Sequence, residues 1–476
     1  MPSFFRNVKI FFQILLFFLW NVSNAQETWD LERCVTHALE NNIQIKKTEI
    51  SSKISKHTLL QSKTEALPNL NGFVNNNYNF GQTIDPFTNE FATERVQSNA
   101  FSLNSSVTLF NGLQTWNTIK QNEYSFLASQ KDIDKIKNDI SLSVAANYLQ
   151  VLFNEEQIEI ASSQLRISEM QVERTQKLVY VGSLPKGSLL EIEAQKATEE
   201  LNVVNAENAL QMAYLDLKQL LELNASTDFK IEKPEMEIPT EPKILSTPGQ
   251  VYDAALGKMP QIKSAEYRLG SNEKQLAVAK GGRSPRLALS GSYGTGYSGN
   301  RKEVVDTTGF SFIPLGATAS GEEVFFPQYT TITEPRSFGK QLDDNLNQSV
   351  GLSLSVPIFN GWAVQTNINK ARLAIENAEY DLQLARNQLR KDIEQAYANA
   401  VAALKKHRAT KKSLIALEES FKYTEQKFNV GMVNAVEYND VKNKLAKAQS
   451  DLLQAKYDYV FKTKILDFYQ GIPLVF

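Results

Sequence analysis

Two stretches of this 476-residue chain contain neither glycine nor proline. They run over residues 113–181 and 362–430, are 69 residues each, and are bounded by Gly112 and Gly182 and by Gly361 and Gly431. Both are rich in Ala, Leu, Gln, Glu and Lys, which lose little on entering a helix. With no breaker inside, each predicts a single helix about 100 Å long, many times the usual globular length. In the second run Ala371, Ala374, Ala378, Leu382, Ala385, Leu389, Ile393, Ala396, Ala400 and Ala403 fall three or four apart, averaging 3.56. That is a coiled-coil-like seam, and its alanines let helices approach closely. Shorter helical stretches flank each long run, so each run reads as the long arm of a coiled-coil-like helical hairpin.

The two runs belong to an internal repeat. Leu39, Gln44, Ile45 and Lys46 recur as Leu256, Gln261, Ile262 and Lys263, an offset of 217, and Pro68 meets Pro285 at the same offset. Further on the offset is 249: Leu109-Phe110-Asn111-Gly112 matches Ile358-Phe359-Asn360-Gly361, Tyr148 matches Tyr397, and Val181-Gly182 matches Val430-Gly431. The difference places a 32-residue insertion between residues 287 and 350. The expected organisation is a first repeat over 26–223, a connector over 224–249 marked by Pro234, Pro239, Pro242 and Pro248, and a second repeat over 250–476. Shorter helices are expected over roughly 30–66, 188–222, 250–280 and 434–470.

Between the first short helix and the long one, each repeat changes period from 3.6 to 2. Phe101, Leu103, Val107 and Leu109 alternate with Ser102, Asn104, Ser106 and Thr108. Val350, Leu352, Leu354, Val356 and Ile358 alternate with Gly351, Ser353, Ser355 and Pro357. Partner strands are read at Leu70–Phe80 and Leu287–Tyr297, joined through polar loops at 81–99 and roughly 298–348. Strands of about 9–11 residues with one apolar and one small or polar face have the length and pattern of transmembrane β-strands. A soluble hairpin packed on the helices has the same periodicity. If they do span a membrane, four strands cannot close a barrel, and open edges in lipid cost several kcal/mol for each unpaired backbone group, so several copies must join.

Composition sets the outer limits. The 51 basic and 53 acidic side chains leave a net charge of −2, so no nucleic-acid partner is expected. Mean hydropathy of −0.33 argues against a bundle of membrane-spanning helices. Averaged in this way the chain reads as soluble and neutral, an average in which four short strands would carry little weight. One cysteine, Cys34, excludes a disulfide framework and is expected as a small buried helix residue. With only His37, His57 and His407, no metal and no cofactor are expected. No catalytic constellation or nucleotide-binding loop appears, so the chain is not expected to be an enzyme. Arg6 and Lys9 precede the apolar run Ile10–Trp20, and Ser23 and Ala25 supply small residues before a cut. Residues 1–25 therefore read as a cleaved secretory signal peptide, too short in its apolar core to span a bilayer. Gln26 rather than Cys follows, so no lipid anchor is expected there.

The export signal, the duplicated helix–strand–strand–long helix–helix module, Phe-Asn-Gly at each strand-to-helix junction and Val-Gly at each helical hairpin together resemble the TolC-like outer membrane efflux family. The resemblance covers essentially the whole chain after residue 25. It implies a mainly α fold with a β membrane part: long coiled-coil-like hairpins plus four transmembrane strands per chain, in a trimeric α/β barrel. It also implies a homotrimeric outer-membrane channel in outer-membrane lipid, with a long periplasmic extension. Substrate would pass through it passively, delivered by a periplasmic adaptor and an inner-membrane transporter. The residues themselves leave a second reading open, a periplasmic coiled-coil scaffold or adaptor without a pore.

Candidate functional residues follow from the same match. The hairpin turns, Val181, Gly182, Ser183 and Leu184 in the first repeat and Val430, Gly431, Met432 and Val433 in the second, are by resemblance the tips that contact the adaptor; locally they are helix C-caps. Glu437 and Asp440 match positions where acidic side chains ring the periplasmic aperture of the family, yet Asn434-x-x-Glu437 also reads as a capping box, as does Ser188-x-x-Glu191. Phe428 and Val433 stand where better-known members carry a Tyr and an Arg, so Phe428 is either an apolar constriction or a buried helix residue. The junctions Phe110-Asn111-Gly112 and Phe359-Asn360-Gly361 mark where strand turns into helix. Trp116 and Trp362 just beyond suit either a membrane interface or core packing. Gly281-Gly282 suits a helix-to-strand junction better than a phosphate loop, and Asp343-Asp344 lacks calcium-loop spacing.

Overall fold

The computed structural model describes residues 28–92, 95–226, 228–234 and 247–472. The signal segment 1–25, Pro239 and Pro242 lie outside the described residues. The first half contains β1 (Thr28–Trp29), α1 (Leu31–Asn41), α2 (Ile43–Thr64), β2 (Asn69–Asn79), β3 (Thr83–Ile84), β4 (Phe91–Ala92), β5 (Val96–Phe110), α3 (Gln114–Tyr180), α4 (Lys186–Leu220) and β6 (Lys230–Ile231). The second contains α5 (Pro248–Leu256), α6 (Pro260–Gly281), β7 (Arg286–Ser298), β8 (Lys302–Ala317), β9 (Glu323–Pro335), α7 (Phe338–Asp344), β10 (Asn347–Ser355), α8 (Ala363–Asn429) and α9 (Ala435–Tyr469).

Element lengths repeat between the halves. Helices α2 and α6 are both 22 residues, α3 and α8 both 67, and α4 and α9 both 35. The seam of α8 is formed as its spacing requires: Ala371, Ala378, Leu382, Leu389, Ile393, Ala396, Ala400 and Ala403 are buried, with Ala374 and Ala385 half-buried. The expected single helices over 30–66 and 250–280 are instead each broken in two. Asn42 leaves the helical region (φ −58, ψ 126), and its carboxamide accepts from the Gln44 N–H at 2.9 Å and donates to the Leu220 carbonyl at 3.2 Å. In the second half the break runs from Gly257 to Met259, and Pro260, which has no N–H to lose, starts the next helix.

The chain divides into two compact units. One comprises residues up to 55, 125–269 and 378 onward. Its largest apolar cluster gathers Leu31, Cys34, Ala38, Val144, Tyr148, Leu152, Leu217 and Phe229. Burial pushes the Cys34 thiol up to about 12. Beside it β1 and β6 pair in parallel, and the Tyr148 hydroxyl donates to the Glu232 carbonyl at 2.6 Å.

The other unit, residues 56–124 and 270–377, holds an antiparallel sheet in the order β10-β7-β5-β2. Its register is itself duplicated: Phe73 lies opposite Ser102 in β2–β5, and their counterparts Ser290 and Gly351 lie opposite each other in β7–β10. Alternation then sorts the side chains. One face carries Leu70, Val74, Tyr78, Phe101, Leu103, Leu289, Tyr293, Val350, Leu352 and Leu354. The other carries mostly Asn, Ser, Gly and Ala, including Asn71, Asn75, Ser102, Asn104, Ser292 and Ser349, and the last two hydroxyls are 2.9 Å apart. Among the described residues, both outer strands, β2 and β10, have an unpaired edge within the sheet.

Two expectations need correction here. Strand β10 ends at Ser355, so Val356, Pro357 and Ile358 lie beyond it. Pro357 has no N–H to continue the ladder. The stretch at 298–348 is not a plain loop: the insertion forms the β8–β9 hairpin followed by α7. Its base is tied by ion pairs of Arg336 with Glu303 (2.6 Å) and Asp344, and of Lys340 with Glu303 (3.2 Å).

Candidate functional site at the helical hairpin ends

The two hairpin turns are built alike, because each ends its long helix on a glycine in the left-handed region. Gly182 has φ +77 and Gly431 has φ +79. In the first, the Gly182 N–H donates to the Val179 carbonyl at 3.0 Å and the Ser183 N–H to Leu178 at 2.8 Å. In the second, Gly431 donates to Phe428 at 3.1 Å and Met432 to Lys427 at 2.9 Å. Each is a Schellman cap, which satisfies helix carbonyls that would otherwise lack a donor. Around these caps Tyr180, Val181, Val430, Met432 and Val436 are exposed, while Leu184 and Val433 are half-buried.

The returning helices begin differently. Asn434 caps α9, its side-chain oxygen accepting from the Glu437 N–H at 2.8 Å. No return bond from the Glu437 carboxylate completes a box. In the first repeat the expected box at Ser188 and Glu191 is absent: α4 starts earlier, at Lys186, behind Pro185, which has no side-chain bond to offer. Glu437 and Asp440 are both exposed, and Asp440 is paired with Lys444 at 2.7 Å. Glu437 has no ion-pair partner among the described residues.

Phe428 is half-buried and stacks on Tyr438, with ring centroids 4.6 Å apart and planes at 25°. Tyr438 is fully buried; its hydroxyl accepts from Gln171 at 3.3 Å, and burial pushes its pKa up to about 12. Arg174 reaches across from α3 to α8. Its guanidinium donates to the Asn429 side chain and, at 2.9 Å, to the Asn429 carbonyl, and lies 5.7 Å from the Phe428 ring centre. A cavity of about 540 Å³ beside them is lined by Arg174, Leu178, Leu184, Ile192, Phe428 and Met432.

One helical turn further along α9, Lys442 is 1% exposed. Its ammonium donates to the Gln164 carbonyl at 2.9 Å and the Ser168 hydroxyl at 2.6 Å, and faces Glu199 at 3.6 Å. Burial pulls the Lys442 pKa down, opposed by Glu199. Sequence reasoning passed over Arg174, Tyr438 and Lys442. A signal existed for the last: Tyr438, Lys442, Leu445 and Ala448 share one seam spacing, so a lysine there enters a helix–helix contact.

The strand-to-helix junctions lie elsewhere, in the sheet-bearing unit. Each places two consecutive residues in the left-handed region, Gly112 (φ +67) with Leu113 (φ +61) and Gly361 (φ +62) with Trp362 (φ +67). Asn111 secures the first, donating to the Thr115 hydroxyl at 2.9 Å. Phe110, Phe359, Trp116 and Trp362 are exposed, so neither tryptophan packs in a core of this chain. Asp344 pairs with Arg336 and Arg301 rather than standing free in a loop.

Known proteins share this architecture. The outer membrane protein TolC of Vibrio cholerae is 21% identical over 442 residues, covering 93% of this chain and 90% of that protein. The TolC of Escherichia coli is 22% identical over 451 residues, covering 92% and 81%. Among solved structures, CusC, described as undergoing conformational changes on folding and transmembrane channel formation, superposes with a TM-score of 0.74 at 16% identity, covering 93% of this chain and 92% of CusC. The family described as outer membrane efflux protein matches residues 35–222 and 251–467, both repeats with the connector left out. On that match the chain belongs to the outer membrane efflux protein family, whose place is the outer membrane.

Proposed function

We propose that three copies of this chain close a twelve-stranded barrel and act as a passive export duct. It would receive substrate at its periplasmic end from an adaptor and an inner-membrane transporter. The observation that carries the reading is the two-faced sheet with its two open edges. An apolar face suits lipid and a Ser/Asn face suits a water-filled pore, and neither edge can stay unpaired in a bilayer. In this reading residues 1–25 are the removed export signal, and 26–223 and 250–476 are the two repeats joined by 224–249. The hairpin turns at 181–184 and 430–433 meet the adaptor with their exposed apolar residues. Glu437, with Asp440 and Phe428 nearby, lines the aperture, where an acidic ring favours cations.

The internal repeat supplies the register between copies. Within the chain β5 pairs with β7, Phe101 opposite Thr295. Advancing Phe101 by 249 and moving Thr295 back by 217 gives Val350 on β10 opposite Tyr78 on β2 of the next copy. The test is a chain carrying Tyr78→Cys and Val350→Cys in an outer membrane, oxidised and run without reductant. A ladder ending at a covalent trimer is expected. A single monomer band, with a monodisperse monomer recovered without detergent, would remove the duct.

A further inference from the structure

We infer that the short hairpin from Thr83 to Phe91 narrows the outer mouth of the duct, and that Phe87 sets its bore. The inference rests on the duct reading, which defines one face of the sheet as the pore wall. The hairpin connects β2 to β5 at the end of the sheet away from Gly112 and Gly361, hence away from the long helices.

Two contacts fix where it lies, Asp85 with Ser298 and Phe87 over Gly296. Asp85 is 1% exposed, and its carboxylate accepts from the N–H of Phe87 at 2.9 Å and of Thr88 at 3.2 Å, shaping the turn. Its second oxygen accepts from the Ser298 hydroxyl, which ties the turn to β7. Gln341 holds Ser298 in turn, accepting from its N–H and donating to its carbonyl, both at 3.0 Å. The Phe87 ring then lies over Gly296, where an added Cβ would sit 1.9 Å from it. Only glycine at 296 lets the ring seat.

The face is decided by alternation. Gly296 pairs with Ala100 and Ser298 with Ser98, all on the Ser/Asn face. The hairpin therefore rests on the pore wall, not on the lipid side. An aromatic ring there interrupts a surface otherwise made of small and amide side chains. Repeated in each copy at one level, it makes an apolar constriction, which hinders hydrated ions and bulky polar solutes more than slender apolar ones.

The experiment uses the full-length protein in planar bilayers. Phe87→Ala is expected to raise conductance, and Gly296→Ala to raise it likewise by expelling the ring, with no further gain in the double variant. Phe87→Cys, labelled with a bulky maleimide added from the outer side, is expected to lose current, because an occluded mouth limits flow whichever end is narrower. Unchanged current in Phe87→Ala together with labelled Phe87→Cys would overturn the constriction. That outcome is separate from a failed duct, which would show as no channel in the unaltered protein and no Tyr78–Val350 cross-link.

Discussion

Gly112 and Gly281 meet backbone to backbone: a Cβ on Gly112 would lie 2.5 Å from the Gly281 carbonyl oxygen, and one on Gly281 2.6 Å from the Gly112 oxygen. The end of α6 thus packs on the turn that starts α3, which is why Gly281 suits a junction. Gly361 has the same left-handed backbone but open space around it. Gly361→Ala should therefore cost about 1–2 kcal/mol from backbone strain alone. Gly112→Ala, which adds overpacking, should cost about 3 kcal/mol or more. Thermal unfolding followed by circular dichroism separates them; equal losses would mean the contact is not felt.

The buried Lys442–Glu199 pair should be costly to halve. Glu199 also accepts from Gln195 at 2.7 Å and Asn202 at 3.1 Å, as Lys442 also donates to Gln164 and Ser168, so each ion keeps two further bonds. Glu199→Ala should destabilise by about 3 kcal/mol, because it strands a buried ammonium. The double change Lys442→Met with Glu199→Leu should recover most of the loss. Denaturant midpoints read both.

At the proposed aperture, Glu437→Ala with Asp440→Ala should lower cation selectivity in planar bilayers, Glu437 contributing more because Asp440 is already paired with Lys444. Arg174→Gln, which loosens the α3 end from Asn429, should raise conductance without changing the sign of selectivity. Recordings identical to the unaltered protein would take these residues out of the aperture.

Transposing the Arg174–Asn429 contact through the repeat offset of 249 gives Tyr423 facing Tyr180 of a neighbouring copy. Both are exposed in the single chain, Tyr423 at 61% and Tyr180 at 91%. In the proposed trimer the joint within a chain would be polar and the joint between chains aromatic. Tyr180→Cys with Tyr423→Cys should cross-link only between copies; a cross-link confined to monomers contradicts the transposition.

His407 should make stability sensitive to mild acid. Burial, then Lys411, Arg408 and Lys456, hold its pKa below the usual 6.5. The unfolded chain therefore takes up the proton first, and folding loses stability as pH falls through about 6.5 until the folded-state pKa is passed. Melting temperatures between pH 7.5 and 5 should fall less in His407→Gln than in the unaltered protein.

Much of the architecture was legible because it is periodic. The glycines at 112, 182, 361 and 431 bracket α3 and α8 to within a residue, since a long helix needs only the absence of breakers and a left-handed stop. Strand faces were legible for the same reason: alternation over Phe101–Val107 sorts an apolar from a polar face without any partner. The break at Asn42 was not legible, because Asn42 leaves the helix to bond Leu220, 178 residues away, whereas the break at Gly257 carries a local signal in Gly257 and Pro260. The hairpin at 302–335 was missed because its alternation is broken by register shifts near Val304, Thr307 and Pro314.

The candidate site divides along the same line. From the sequence alone come the two caps and the acidic first turn of α9, which depend on neighbours within a few residues. The Arg174–Asn429 link, the burial of Lys442 against Glu199, and the seat of Phe87 on Gly296 join positions more than 200 residues apart. Local propensity carries no information about such pairs, because their free energy exists only once distant helices and strands have packed. The repeat fixes what each half must be; the packing of one half on the other decides which side chains meet.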